Sequence, residues 1–196
     1  MLLAVSEEKK ELRKKLLAKL LSLTGEELKR RSQNVEQRLS SLPIYKSAKV
    51  VMVYYPLKGE VNILGMVRRD LGLKRFCFPF MDLETKDLEV YEINNLEEDF
   101  SAGPFGIMQP DPKKTKKVDI KEIDMVIVPA VAFDRNCNRL GRGKGFYDHF
   151  LKKINPPCKK IGIAFESQIL DDLPIHPSLD EKVDVIVSEN SCVELN

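Results

Sequence analysis

The chain has no pair of cysteines at C-x-x-C spacing; Cys77, Cys137, Cys158 and Cys192 are scattered along it. Its two histidines, His149 and His176, stand too far apart in sequence for zinc-binding spacing. No run approaches the roughly 18 apolar residues that a membrane-spanning helix needs. The N-terminal apolar stretch, Met1 to Val5, is too short for a signal-peptide core. There is no internal repeat and no excess of one charge. Lys and Arg number 32 against 30 Asp and Glu, a net +2, too balanced for a dedicated nucleic-acid binder. These absences argue against a disulfide scaffold, a zinc module and a repeat array. They predict a reduced cytoplasmic protein that engages neither membrane nor nucleic acid.

What is present suits one globular domain, expected to span residues 1–196. Apolar residues make up 43%, enough for a real core. The first forty residues carry helical spacing. Leu12, Leu16 and Leu20 repeat every fourth position behind Ser6, a candidate cap. Thr24 and Glu27 form a capping-box pattern opening a second helix that stops before Pro43. The period then changes. "KVVMVYY" (Lys49 to Tyr55) reads as a buried strand, "VNILGMVRRDLG" as a short helix ended by Gly72, and "KRFCFPFM" as a strand. Lys86 to Ile93 alternates as an edge or hairpin strand should. Asn94 to Lys117 is loop-rich, and "DMVIVPAVAFD" (Asp124 to Asp134) is a continuous apolar run of the parallel-sheet kind. A helix from about Gly145 to Ile154 and strands "KKIGIAFE" and "VDVIVSE" complete the pattern. Alternating strands and helices predict a single-domain α/β layered fold with a mostly parallel central sheet flanked by helices.

The densest chemistry lies in "RLGRGKGFYDHF", Arg139 to Phe150, with three glycines, two arginines and a lysine in seven positions. Placed between a strand and a helix, such a loop can turn backbone N–H groups toward an anion. Familiar phosphate motifs do not fit. A Walker A loop needs glycine where Asn138 sits and serine or threonine where Gly145 sits, and a dinucleotide fingerprint needs glycine at Phe146. Spacing alone leaves two readings, a phosphate cradle of unnamed ligand or a solvated basic turn.

The wider run "VPAVAFDRNCNRLGRGKGFYDHFL" resembles the signature of the 5-formyltetrahydrofolate cyclo-ligase family. The resemblance continues in "KKELR", "YYPLKGEVN", "FGIMQP", "GIAFESQ" and "HPSLDEKVDVIVSE", in order along nearly the whole chain. Ala130, Cys137 and Gln109 stand where the family commonly has glycine, glycine and glutamate. Membership would imply a NagB/RpiA/CoA-transferase-like scaffold acting on 5-formyltetrahydrofolate and ATP with Mg²⁺; the chain is expected to be a monomer. The product would be the 5,10-methenyl ring, formed through phosphorylation of the formyl oxygen.

Carried over by resemblance, Lys9, Lys10, Glu11, Leu12 and Arg13 meet the nucleotide from the first helix. Arg139, Leu140, Gly141, Arg142, Gly143, Lys144, Gly145, Phe146 and Tyr147 hold it from the loop. Arg142 and Lys144 are the expected catalytic cations. Tyr55, Glu60, Arg142, Gly143, Lys144, Gly145 and Phe146 border the folate, and Asp148 and Asp180 are the expected magnesium ligands. Without the resemblance, Lys9 and Arg13 read as surface charge, Glu60 and Asp148 as helix-start residues and Asp180 as a loop carboxylate. The competing functions are a sugar-phosphate isomerase or CoA-transferase-like enzyme, and a non-catalytic nucleotide- or RNA-binding protein.

Overall fold

The computed structural model describes residues 2–85 and 87–195. Met1, Asn196 and Lys86, the expected first residue of a hairpin strand, lie outside the described residues. In chain order the helices are α1 (Leu2–Leu21), α2 (Gly25–Ser41), α3 (Pro43–Ser47), α4 (Leu64–Asp70) and α5 (Phe146–Leu151). The strands are β1 (Val50–Met52), β2 (Arg75–Asp82), β3 (Asp87–Ile93), β4 (Phe100–Ala102), β5 (Met108–Pro110), β6 (Lys116–Lys117) and β7 (Met125–Pro129). They continue with β8 (Ala132–Asp134), β9 (Arg139–Leu140), β10 (Lys159–Ile163), β11 (Ile169–Leu170), β12 (Val185–Val187) and β13 (Cys192–Glu194).

The main sheet runs in the order β13-β12-β10-β7-β1-β2-β3-β6. From β12 to β2 the pairings are parallel, and both margins are antiparallel. Its inner strands are apolar at successive positions because both faces are covered. On one face Val51, Phe76, Phe78 and Ile127 meet Val35, Leu39 and Met66 from α2 and α4. On the other, Met52, Val126 and Val128 meet Phe150 and Leu151 of α5. This is the expected α/β layered architecture with a mostly parallel sheet.

Several local expectations change. Ser6 does not cap α1, which already runs from Leu2 because nothing in Leu2–Val5 breaks a helix. Thr24 does cap α2, its hydroxyl accepting the Glu27 N–H at 3.2 Å. The Asp124–Asp134 run is two strands in two sheets, β7 and β8. Pro129 lacks the N–H that would continue the ladder, and the Ala130 and Val131 carbonyls accept the Gln168 side-chain amide at 3.0 and 3.1 Å. Helix α5 ends at Leu151, three residues before the expected Ile154. Among the described residues, no helix is long and apolar enough to cross a membrane.

Cys137 takes a left-handed conformation at φ 60°, a region that glycine occupies without cost. Its buried side chain fills space that glycine would leave empty. Cys77 and Cys158 are also buried, and that burial pushes their thiols up to about 12, while Cys192 is exposed. A thiol reagent at pH 7 should therefore label Cys192 first and reach the other three only on unfolding. Equal labelling rates in the native protein would contradict this packing.

Candidate active site

The site opens at the carboxyl ends of the parallel strands, where open α/β sheets present ligand crevices. Tyr54 to Glu60 follow β1, Pro79 and Met81 lie late in β2, Pro129 ends β7 and Ala130 follows it. The glycine loop leaves β9 and crosses the opening. The resulting cleft holds about 910 Å³, its mouth included.

Buried Asp134 organises the approach to this loop. Its carboxylate accepts the Asn136, Asn138 and Leu173 N–H groups at 2.9, 3.0 and 3.1 Å, and the Asn138 amide at 2.8 Å. Arg139 follows, 5% exposed, donating to Asp148 Oδ1 at 2.5 Å. Gly141 leaves room for this guanidinium, since a Cβ there would lie 2.6 Å from Arg139 Nη1 and the arginine would have to shift. Gly143 (φ 91°) and Gly145 (φ 79°) are left-handed and hold exposed Lys144 between them. The Lys144 ammonium sits 5.0 Å from the Phe105 ring centroid. No side chain caps α5, so its first N–H groups remain available beside the loop.

Helix α1 reaches the same place because Leu16 packs with Val131, Ala132, Leu140 and Leu173. One turn earlier, Arg13 Nε donates to the Gly141 carbonyl at 2.8 Å. One turn further, the Lys9 ammonium pairs with Asp180, whose Oδ2 also accepts the His176 N–H at 2.6 Å. Burial lowers the Arg13 pKa, the charges of Asp180 and Asp148 pull it back up, and Arg139 adds to the lowering. All three groups are thus within electrostatic reach of one guanidinium. Lys10 and Glu11 are exposed and do not line the cleft, and Leu12 packs against the Leu16 cluster. The Leu140 side chain belongs to that same apolar cluster.

On the other side, Arg142 Nε donates to Glu60 Oε1 at 2.8 Å. Glu60 Oε2 accepts the Leu57 N–H at 2.9 Å, which fixes the carboxylate on its own turn. Tyr55 and Phe146 line the cleft, with Tyr55 packed on Phe100 at 5.2 Å between ring centroids. The Tyr147 hydroxyl is buried with no hydrogen-bond partner among the described residues. Burial drives its pKa well upward, Glu60 adds to that, and Arg139 opposes it. His149 is exposed and His176 lies in the loop before Asp180.

Sequence reasoning missed much of the apolar wall, which includes Pro79, Met81, Leu88, Ile107 and Met108, and it missed Phe105. Phe105 gave a signal, an aromatic beside glycine inside a polar loop. Gln109 lies behind this wall, its amide oxygen accepting the Met81 N–H at 3.2 Å. Gly103 makes room for it, since a Cβ there would meet Gln109 at 2.5 Å.

The cleft, then, is lined by three cations (Arg139, Arg142 and Lys144) and two carboxylates (Glu60 and Asp148), while Arg13, bonded to the Gly141 carbonyl, and the Lys9–Asp180 pair lie beside its glycine loop. The remaining positive charge suits a polyphosphate, and the apolar wall suits a flat, largely aromatic molecule. Comparison with known proteins agrees with this chemistry. Residues 5–189 match the model of the 5-formyltetrahydrofolate cyclo-ligase family. Mouse 5-formyltetrahydrofolate cyclo-ligase is 26% identical, covering 95% of this chain and 96% of its own. The NMR structure of Aquifex aeolicus 5,10-methenyltetrahydrofolate synthetase superposes with a TM-score of 0.84 at 37% identity, covering 96% of this chain and 93% of that one. The synthetase from Mycoplasma pneumoniae gives 0.73 at 26% identity, covering 93% and 99%. The chain belongs to the 5-formyltetrahydrofolate cyclo-ligase family.

Proposed function

We propose that this protein closes the ring of 5-formyltetrahydrofolate to give 5,10-methenyltetrahydrofolate, using ATP and releasing ADP and phosphate. The observation that carries the reading is a cation-rich glycine loop directly bordering an apolar cleft, with Arg142 of the loop paired to Glu60 of the cleft at 2.8 Å. Two substrates of unlike chemistry can thus meet at one boundary.

In this reading the formyl oxygen attacks the γ-phosphorus and the bond to ADP breaks. The N10 nitrogen then attacks the activated formyl carbon, and phosphate leaves with the C–O electron pair. The N10 proton passes to solvent or to the departing phosphate. Such chemistry asks the protein mainly for alignment and charge neutralisation. Lys144 follows the transferred phosphoryl group, and Arg142 neutralises the oxygens nearest the folate. Arg13 and Lys9 close over the nucleotide from α1. Glu60 accepts hydrogen bonds from the pterin N–H groups, while Tyr55 and Phe146 flank the ring.

Asp148 and Asp180 would hold magnesium. Both are oxygen donors within electrostatic reach of Arg13, and among the described residues no group of three or more metal-ligating side chains exists. Magnesium keeps several waters and phosphate oxygens and needs only one or two carboxylates, so this sparse pair fits. The bound ion would shield charge on the phosphates. Asp148→Asn should raise the magnesium concentration needed for half-maximal turnover while leaving folate affinity near the parent value. A magnesium titration that overlays the parent's would reduce Asp148 to the partner of Arg139.

The direct test is incubation with 5-formyltetrahydrofolate, ATP and Mg²⁺, following the methenyl product and ADP together. Absence of both products from folded protein would refute the assignment.

A further inference from the structure

Resting on that reading, we infer that the Glu60–Arg142 pair couples the two substrates, so that each one bound tightens the other. The pair differs from the other ion pairs of the site. In the proposed function, Lys9–Asp180 and Arg139–Asp148 each join groups that serve the nucleotide and its magnesium alone. Glu60–Arg142, at 2.8 Å, joins a carboxylate of the cleft to a guanidinium of the glycine loop, and so, in the proposed function, the folate contact to a phosphate contact.

The geometry makes the two engagements mutually dependent. Glu60 is fixed by its turn, with Oε2 on the Leu57 N–H, so Arg142 is the partner that can leave. The preceding Gly59 is left-handed (φ 85°), and a Cβ there would lie 3.2 Å from Leu20 Cβ, so the turn that carries Glu60 sits close against α1. The Arg142 side chain is 36% exposed and that of Glu60 only 8%. Pterin N–H groups approaching Oε1 compete with the guanidinium for that oxygen. Phosphates compete with Glu60 for the guanidinium. Whichever ligand arrives first must break the pair, and the second finds its partner already free. A ligand shifts such an equilibrium only through its preference for one state, and the coupling is the same in both directions. Glu60 is therefore a positioning residue for Arg142 as well as a contact for the folate.

The test is calorimetric binding of a non-hydrolysable ATP analogue with Mg²⁺, with and without saturating 5-formyltetrahydrofolate. The parent should bind the analogue at least about fivefold more tightly when folate is present, and show the same factor for folate when the analogue is present. Glu60→Gln keeps an oxygen for the Leu57 N–H but loses the charge that holds Arg142. Without folate, it should bind the analogue more tightly than the parent does. A purely structural role would predict the opposite sign. Arg142→Met, at an exposed position, should bring the factor to one, and Arg142→Lys should restore part of it. Independent binding in the parent, or a Glu60→Gln protein with no gain for the analogue, overturns the inference while leaving the activity standing. A parent that binds neither ligand overturns the activity and the inference together.

Discussion

Lys144→Met is expected to lower turnover by roughly 10²-fold or more, the scale of losing one preorganised charge from a transition state. The melting temperature should stay near the parent value. Lys144 lies between Gly143 and Gly145, both left-handed, on a loop where its own side chain is exposed. Its contact with the Phe105 ring at 5.0 Å is worth only about 0.5–1 kcal/mol at an exposed site. The ammonium is therefore free to move onto a phosphoryl group as charge spreads over the oxygens. Methionine keeps an unbranched side chain of nearly the same reach between the two glycines and removes the charge. Steady-state kinetics beside a thermal melt decides the matter. Near-parental turnover would remove Lys144 from the catalytic machinery.

Asp134→Ala should have the largest effect on stability, about 3–5 kcal/mol, read as a shift of the urea midpoint at constant m-value. Asp134 is fully buried and accepts three backbone N–H groups and the Asn138 side-chain amide. Alanine leaves those donors inside the protein with no acceptor, and each costs on the order of 1–3 kcal/mol. The damage should also reach the site, since the turn from Asp134 to Asn138 delivers Arg139 and the glycine loop to the cleft. Hydrogen exchange should quicken at Asn136, Asn138 and Leu173 before it does in β10. A variant with parental stability would mean that water replaces the carboxylate.

The two results bear on different levels of the same loop. Lys144 belongs to the chemistry at its surface, and Asp134 to the buried turn that holds it in place. Loss of turnover with an intact fold in the first, and loss of stability in the second, would separate these roles.

Sequence by itself determined the local elements and the loop's chemistry. Periodicity marked the leucines of α1, Thr24 declared its own cap, and the unbroken apolar runs announced strands covered on both faces. These features depend on neighbours a few residues away, and side-chain spacing encodes them directly. The glycines of Arg139 to Gly145 were legible for the same reason, because left-handed backbone and close approach demand that residue type. Tertiary structure alone decided the pairings. Lys9 meets Asp180 across 171 residues, Arg13 meets Gly141 across 128, and Glu60 meets Arg142 across 82. No period links such positions; strand order and the docking of Leu16 bring them together. The break between β7 and β8 also depended on a distant group, the Gln168 amide, which made a turn after Pro129 less costly than a longer strand. The cleft wall drew Met81, Leu88 and Met108 from three separate strands, each looking in isolation like ordinary core. Local order follows from covalent spacing, whereas a site assembled from distant segments exists only after the core has packed.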